Sequence, residues 1–409
     1  MVIWKLMKES LTAEVASITV GLVSGTILAS IIDRFSATPE LFVLLPILFG
    51  ISNDIDGQLA ARLGSALHMG VIESRFAYNK ELFNIIAASF LLSILCSLYA
   101  GVLAHFFSSV GGIRVGGLSR LVIIALFSGL LSRIISIIVT TTLSLFLFSK
   151  NIDPDSVMGP ILTSYGDVLT IFTLYLCLEF VGGLKIEEII DDHLTIGLVT
   201  VFFMILIYFS WFKRQKVVAT DMRSVYRVDK IIRESFLALL IPLSYTAPAG
   251  LAIAHFESLF VHNPPLLVML PPLNDLAGDF GIIISSRLST ALYTGIARPR
   301  FSEIGILKEE FITILLVGGF SAIFLGVTCY FFSYSLGLAN LGPETLICLS
   351  LMSIIALILL EILLSVGICF VSFSKGLDPD NITVPIVTDL GDIGGILFLI
   401  ASSMILGVI

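Results

Sequence analysis

The stretch DPDSVMGPILTSYGD, residues 153–167, returns as DPDNITVPIVTDLGD at 378–392. Eight of the fifteen positions are identical without a gap, so one constant offset, that from Asp153 to Asp378, relates every pair. The same offset aligns PILFGISNDIDGQLAARLGSALHMG (46–70) with PPLNDLAGDFGIIISSRLSTALYTG (271–295). There Pro46, Asp54, Arg62, Leu63, Ala66, Leu67 and Gly70 meet Pro271, Asp279, Arg287, Leu288, Ala291, Leu292 and Gly295. Two separated blocks sharing one offset imply an internal duplication. The sequence divides into a first repeat at 1–183, a linker at 184–230 and a second repeat at 231–409.

What surrounds these blocks is apolar. Of 409 residues 57% are hydrophobic and 13% charged, where a soluble domain carries about 25% charged residues. Apolar runs near 11–32, 40–67, 82–108, 118–148, 156–180, 195–212, 234–256, 266–292, 308–336, 343–373 and 381–407 predict eleven membrane spans, some exceeding the roughly 20 residues a helix needs to cross lipid. Five fall in each repeat. Two five-span halves joined directly would be inverted. The unpartnered sixth run restores a common orientation, giving parallel repeats about a pseudo-twofold axis along the membrane normal. The expected fold is therefore an all-α polytopic membrane protein in which one chain mimics a symmetric dimer, so that a monomer suffices.

Lys and Arg in short loops set the orientation. Lys213, Arg214, Lys216, Arg223, Arg227, Lys230 and Arg233 follow the sixth run and predict a cytoplasmic loop. Counting from it places the N-terminus, with Lys5 and Lys8, in the cytoplasm of a cell-membrane protein and the acidic loop 185–193 outside. Arg114 and Arg120 are exceptions. No cleavable leader is expected, because the first apolar run is span-length. The net charge of −8 implies no acidic partner, and no nucleic-acid partner is expected. Five cysteines without C-x-x-C spacing read as small apolar residues.

Ionisable groups within spans are expensive, about 2.5–3.5 kcal/mol each on insertion scales, and point to function. Asp167 lies 12 residues beyond Asp155, roughly 18 Å along a helix and so near mid-bilayer, and the repeat puts Asp392 at equal depth. Asp54 and Asp279 reach a similar level from the opposite side. Four such carboxylates close to a twofold axis can converge on one cation, a central acidic site between the repeats. The alternative for Asp54 and Asp279 is structural pairing with Arg62 and Arg287. Thr163 and Thr388 precede their aspartates by one turn and offer hydroxyl oxygens. Asp153 and Asp378, each before a proline, read first as helix caps. Pro46, Gly50, Asn53, Asp54, Asp56 and Gly57 interrupt the second run, as do Pro271, Pro272, Asn274, Asp275, Gly278, Asp279 and Gly281 in the other repeat. That pattern predicts non-helical backbone, tolerated at this depth only inside protein or along water, with Asn53 and Asp275 as additional ligands. Ala60, Ala61, Gly64 and Ser65, against Ser285, Ser286, Ser289 and Thr290, read as a packing face. Oxygen-only donors select hard cations such as Mg²⁺, Ca²⁺ and Mn²⁺, and no resident cofactor is implied.

These residues resemble the membrane domain of the MgtE magnesium transporters and, more closely, their eukaryotic solute-carrier relatives with two fused copies. The resemblance rests on P-x-L-x-G-x-x-x-D with A-x-R-L-x-S/T-A-L-x-x-G, and on D-P-D-x-x-x-x-P-I-x-T-x-x-G-D. It implies transport of Mg²⁺, with the fifth-span aspartate binding the ion, which carries over to Asp167 and Asp392. Two departures stand out. About ten residues precede the first run, so the cytosolic sensing domains of the bacterial members are not expected. The family's Gly-Asn in the second span is Asn53-Asp54 in one repeat and Gly278-Asp279 in the other. A secondary transporter of another cation or small solute, driven by H⁺ or Na⁺, would also use buried aspartates. An intramembrane aspartyl protease would share Gly-Asp, but no second dyad element follows.

Overall fold

The structure, a computed structural model, describes residues 2–408 apart from 75–78, 151–153, 183–196, 198–199, 201–225, 294, 296, 301–304, 306–307, 339 and 376–378. Twelve helices account for nearly all of the described chain: α1 Val2–Ser30, α2 Ile32–Ala37, α3 Glu40–His68, α4 Lys80–Val110, α5 Leu118–Ser149, α6 Pro154–Gly182, α7 Val228–His255, α8 Glu257–His262, α9 Pro265–Tyr293, α10 Lys308–Ser335, α11 Pro343–Ser374 and α12 Pro379–Ile405. No strand occurs among the described residues.

Seven helical stretches are long and apolar enough to cross a membrane: Lys80–Val110, Leu118–Ser149, Ile161–Phe180, Pro265–Ser289, Phe311–Ser335, Pro343–Ser374 and Ile386–Ile405. The protein is thus a multi-pass helical membrane protein. Glu14–Ser30 and Leu239–His255 are shorter apolar helices. α3 falls outside the set because Asn53, Asp54 and Asp56 sit at its middle. The expected sixth span, 195–212, lies outside the described residues, apart from Gly197 and Thr200.

The repeat is visible in how helices stop. α3 and α9 run out into Gly70 (φ 68°) and Gly295 (φ 72°), and α4 and α10 into Gly112 (φ 72°) and Gly337 (φ 70°). A left-handed residue after a helix lets the following amides turn back onto the last carbonyls, and glycine adopts it without steric cost. Gly112 N–H accordingly donates to the Ser109 carbonyl and Gly337 N–H to that of Tyr334. Both glycine pairs keep the offset of the sequence repeat.

The chain forms two compact units, Thr38–Ala247 and Met1–Ala37 with Pro248–Ile409. In the first, α3 packs on α4, α5 and α6, and α5 packs on α4 and α6. The first part of α7 joins it. Ser235 accepts from Arg62, the Tyr226 carbonyl accepts from Asn84 Nδ2 at 2.8 Å, and Ser244 lies 2.7 Å from the Tyr99 hydroxyl. In the second unit, α9 packs on α10, α11 and α12, and α11 on α10 and α12. α1 lies along α9 and α10. Each unit therefore takes its opening helix from the other half of the sequence, α1 in one and most of α7 in the other.

α3 and α9 are unbroken, although each contains proline: Pro46 in α3, Pro271 and Pro272 in α9. This corrects the expectation of non-helical backbone there. Asparagine, aspartate and glycine weaken a helix by less than about 1 kcal/mol each, and packing on several neighbours outweighs that. Proline frees one carbonyl a turn earlier, and for Pro272 that is the Val268 carbonyl. Gly25 of α1 lies against that carbonyl so closely that a Cβ would overlap it. Large apolar side chains elsewhere point outward, among them Phe83, Phe106, Phe320 and Leu363, as a lipid-facing surface requires.

Candidate metal centre

Asp54 is the fifteenth of 29 residues in α3, and Asp279 the fifteenth of 29 in α9. Asp167 and Asp392 fall at the fourteenth position of α6 and α12. All four stand at helix centres. The reason is the repeat: the same number of helical residues precedes each aspartate in both copies.

In the Thr38–Ala247 unit, α6 approaches α3 at Gly166. A Cβ there would sit 3.0 Å from Asn53 Oδ1 and 3.1 Å from Ser52 Oγ. The glycine preceding Asp167 thus rests on the residue preceding Asp54, which brings these predicted positions to one level. Asp167 is buried and Thr163, one turn earlier, is partly exposed. Asn53 Oδ1 is buried and accepts no hydrogen bond among the described residues. Arg62 donates to Gln58 Oε1 at 2.9 Å and to Ser235.

One buried charge pair in this unit joins Asp56, marked in the sequence only as an interruption of its run, to Arg133, which the sequence did not mark. Arg133, at the middle of α5, is 1% exposed and forms an ion pair with Asp56 of α3. Ser52 Oγ lies 3.4 Å from the other Asp56 oxygen. The available signal was one lone arginine in the middle of an otherwise apolar run.

In the other unit Gly278, beside Asp279, faces Thr388 of α12, whose methyl would be 3.1 Å from an added Cβ. Thr388 thus lies against the residue preceding Asp279, as Asn53 lies against the residue preceding Asp167. Asp275 is 7% exposed, and Ser17 of α1 donates to it at 3.4 Å. Glu14, one turn before Ser17, is 2% exposed and within electrostatic reach of Asp279 and Asp275. Its Oε2 has no hydrogen-bond donor among the described residues. Glu14, Ser17, Asp275 and Asp279 make an oxygen-rich patch on the α1–α9 interface. Sequence reasoning missed Glu14, because nothing in the chain indicates that α1 lies against α9. Asp392 is partly buried in α12.

Asp153 and Asp378 lie outside the described residues. Among the described residues no three Asp, Glu, His or Cys side chains gather into a group able to hold a metal ion. What each unit offers is a mixed set of carboxylate, amide and hydroxyl oxygens. Such a set suits a hard cation that keeps part of its water shell. Of the cysteines, all free, four are buried and Cys348 is exposed. Ala60 packs on Leu147, Met158 and Leu162, which is the packing role expected of that small face.

A family model described as MgtE, divalent cation transporter, matches the chain twice, over residues 45–177 and 270–402. Both ends of the two matches are related by the offset of the repeat, and together they cover well over half of the chain. Solute carrier family 41 member 2 of Xenopus laevis is 25% identical over 419 residues, covering 92% of this chain and 67% of that protein. Solute carrier family 41 member 3 of Mus musculus is 23% identical over 391 residues, covering 88% and 74%. The Homo sapiens member 2 is 25% identical over 424 residues, covering 92% and 66%. The chain spans about two thirds of the length of these member 2 relatives. No solved structure matches it.

Proposed function

The chain belongs to the MgtE family of divalent cation transporters, and from that premise we propose that it carries Mg²⁺ across the membrane, handled by Asp167 and Asp392 with support from Asp54 and Asp279. The observation behind this reading is the repeated Gly-Asp at mid-helix, whose glycine rests on Ser52 and Asn53 of α3 in one unit and on Ala277 of α9 and Glu361 of α11 in the other. Two copies have kept one acid at one position.

Carboxylates at this level offset the desolvation of a divalent ion, while Thr163, Thr388, Asn53 and Asp275 bind its water rather than replace it. Mg²⁺ dehydrates reluctantly and is usually held through one or two carboxylates plus waters. A sparse acid set therefore suits it better than the six-to-eight-ligand cage that Ca²⁺ fills. The duplication runs over 1–183 and 231–409 in this reading. The linker 184–230 supplies an eleventh span, which leaves the repeats parallel and the N-terminus cytoplasmic.

The test is Mg²⁺ uptake into liposomes containing the purified protein, with Asp167→Asn, Asp392→Asn and the double variant. Each single change is expected to slow uptake at least tenfold and the double to abolish it, together with Mg²⁺-dependent thermal stabilisation. Undiminished uptake in the double variant rejects the assignment.

A further inference from the structure

Glu361 is the nineteenth of 32 residues in α11 and is 0% exposed. Neither carboxyl oxygen has a hydrogen-bond partner among the described residues. Two glycines make its room. A Cβ on Gly391 of α12 would come within 2.5 Å of Oε1, and one on Gly281 of α9 within 2.6 Å of Oε2. Val387 and Ala277 crowd the same two glycines, so on these two sides the walls are backbone and hydrocarbon, and the Ser365 hydroxyl one turn further along α11 donates to the Gly281 carbonyl at 3.4 Å.

The ionisable groups nearest in chain position on these helices are acids: Asp279 on α9, two residues before Gly281, and Asp389 and Asp392 on either side of Gly391 on α12. α10, the remaining helix packed on α11, carries no acid or base from Phe311 to Ser335 apart from Cys329, Tyr330 and Tyr334. Arg287 is six residues beyond Gly281, roughly 9 Å along the helix.

The other repeat shows what is missing. The positions matching Glu361, Gly281 and Ile358 are Ser136, Asp56 and Arg133. There a buried carboxylate is neutralised by a guanidinium attached to the chain. Here the acid has moved from the second helix of the repeat to the fourth, the aspartate has become glycine, and the arginine has become isoleucine. A buried carboxylate left without its partner is strongly unfavourable, so Glu361 requires a positive charge, and no described residue forms an ion pair or hydrogen bond with it. A metal ion needs several oxygen ligands, which glycine, alanine and valine do not present. A proton needs none.

We propose that Glu361 is a proton-binding site, holding H⁺ as a neutral carboxylic acid in the packing described here and releasing it once per transport cycle. The change is Glu–COOH to Glu–COO⁻ plus H⁺, with no other bond altered. The coupling part of this proposal rests on the cation-transport reading above; the proton site itself does not.

Two measurements test it. Infrared spectra of the full-length protein in lipid at neutral pH are expected to contain a protonated-carboxyl band that shifts in D₂O and is lost in Glu361→Gln. In liposomes with an internal pH dye, a Mg²⁺ gradient is expected to move protons through the wild type and at least tenfold fewer through Glu361→Gln, an isosteric change that keeps the packing. Absence of the band overturns the site. Proton movement unchanged in Glu361→Gln overturns the coupling. A wild type that moves no Mg²⁺ removes the transport reading and the coupling with it, while the infrared result still decides the site.

Discussion

At the scale of single residues, a charge inside this protein is tolerated according to what sits opposite it. Asp56 and Arg133 neutralise one another within the Thr38–Ala247 unit, where both are buried. Removing one partner leaves the other uncompensated, at a cost of about 3–5 kcal/mol, whereas removing both leaves ordinary apolar packing. Arg133→Met is therefore expected to lower thermal stability in detergent strongly, and Arg133→Met with Asp56→Asn to recover most of the loss. A double variant no more stable than the single would show that the pair is not coupled. Asp167 and Asp392 stand out in the sequence because repetition marks what both copies kept, and both fall at helix centres. Arg133 and Glu361 do not stand out, because repetition is blind to what one copy exchanged for something else.

Helices in this fold meet where side chains vanish. Gly101 of α4 brings its backbone onto α5, where an added Cβ would stand 2.6 Å from Val122 Cα. Gly326 of α10 does the same on α11, 2.6 Å from Ile347 Cα. Gly101 matches Gly326 and Val122 matches Ile347 at the offset of the repeat, so the duplication preserved a crossing as well as a sequence. Small residues at such points are what lets helices in lipid pack closely. Gly101→Val and Gly326→Val are each expected to destabilise by about 1–3 kcal/mol through overpacking. Gly319→Ala on α10, where nothing lies within 4 Å, is expected to be neutral or to stabilise by up to about 1 kcal/mol. Thermal unfolding in one detergent compares all three, and equal losses would contradict the crossings. Helix limits were largely readable: the run at 118–148 became Leu118–Ser149, and that at 343–373 became Pro343–Ser374. Apolar length alone decides them. The continuity of α3 and α9 was not readable, since local preference points to a break and only packing overrides it.

For the molecule as a whole, the arrangement of α1 is the feature that sequence could not supply. An apolar face states that something covers it, never which helix does. Gly21 against Pro272, with a would-be Cβ 2.8 Å from its Cα, and Ser17 against Asp275 identify the cover as α9. With Ser17→Cys and Asp275→Cys in a Cys348→Ser background, a short thiol cross-linker is expected to join the two halves. After cleavage at a protease site placed within 184–225, the fragments would stay together on a denaturing gel. Fragments that separate would place α1 elsewhere.

The exchange of opening helices also orders the protein's birth. Everything in Thr38–Ala247 leaves the ribosome as one continuous stretch and can close as soon as α7 emerges. α1 is made before α9 but meets it only after every helix from α2 to α8 has been made, a delay on the order of tens of seconds at typical synthesis rates. Through that interval Glu14 has no α9 acids beside it, and the faces of Gly21 and Gly25 lie open to lipid or to the insertion machinery. Interference with maturation will therefore strike α1 hard, as it waits for a partner made long after it.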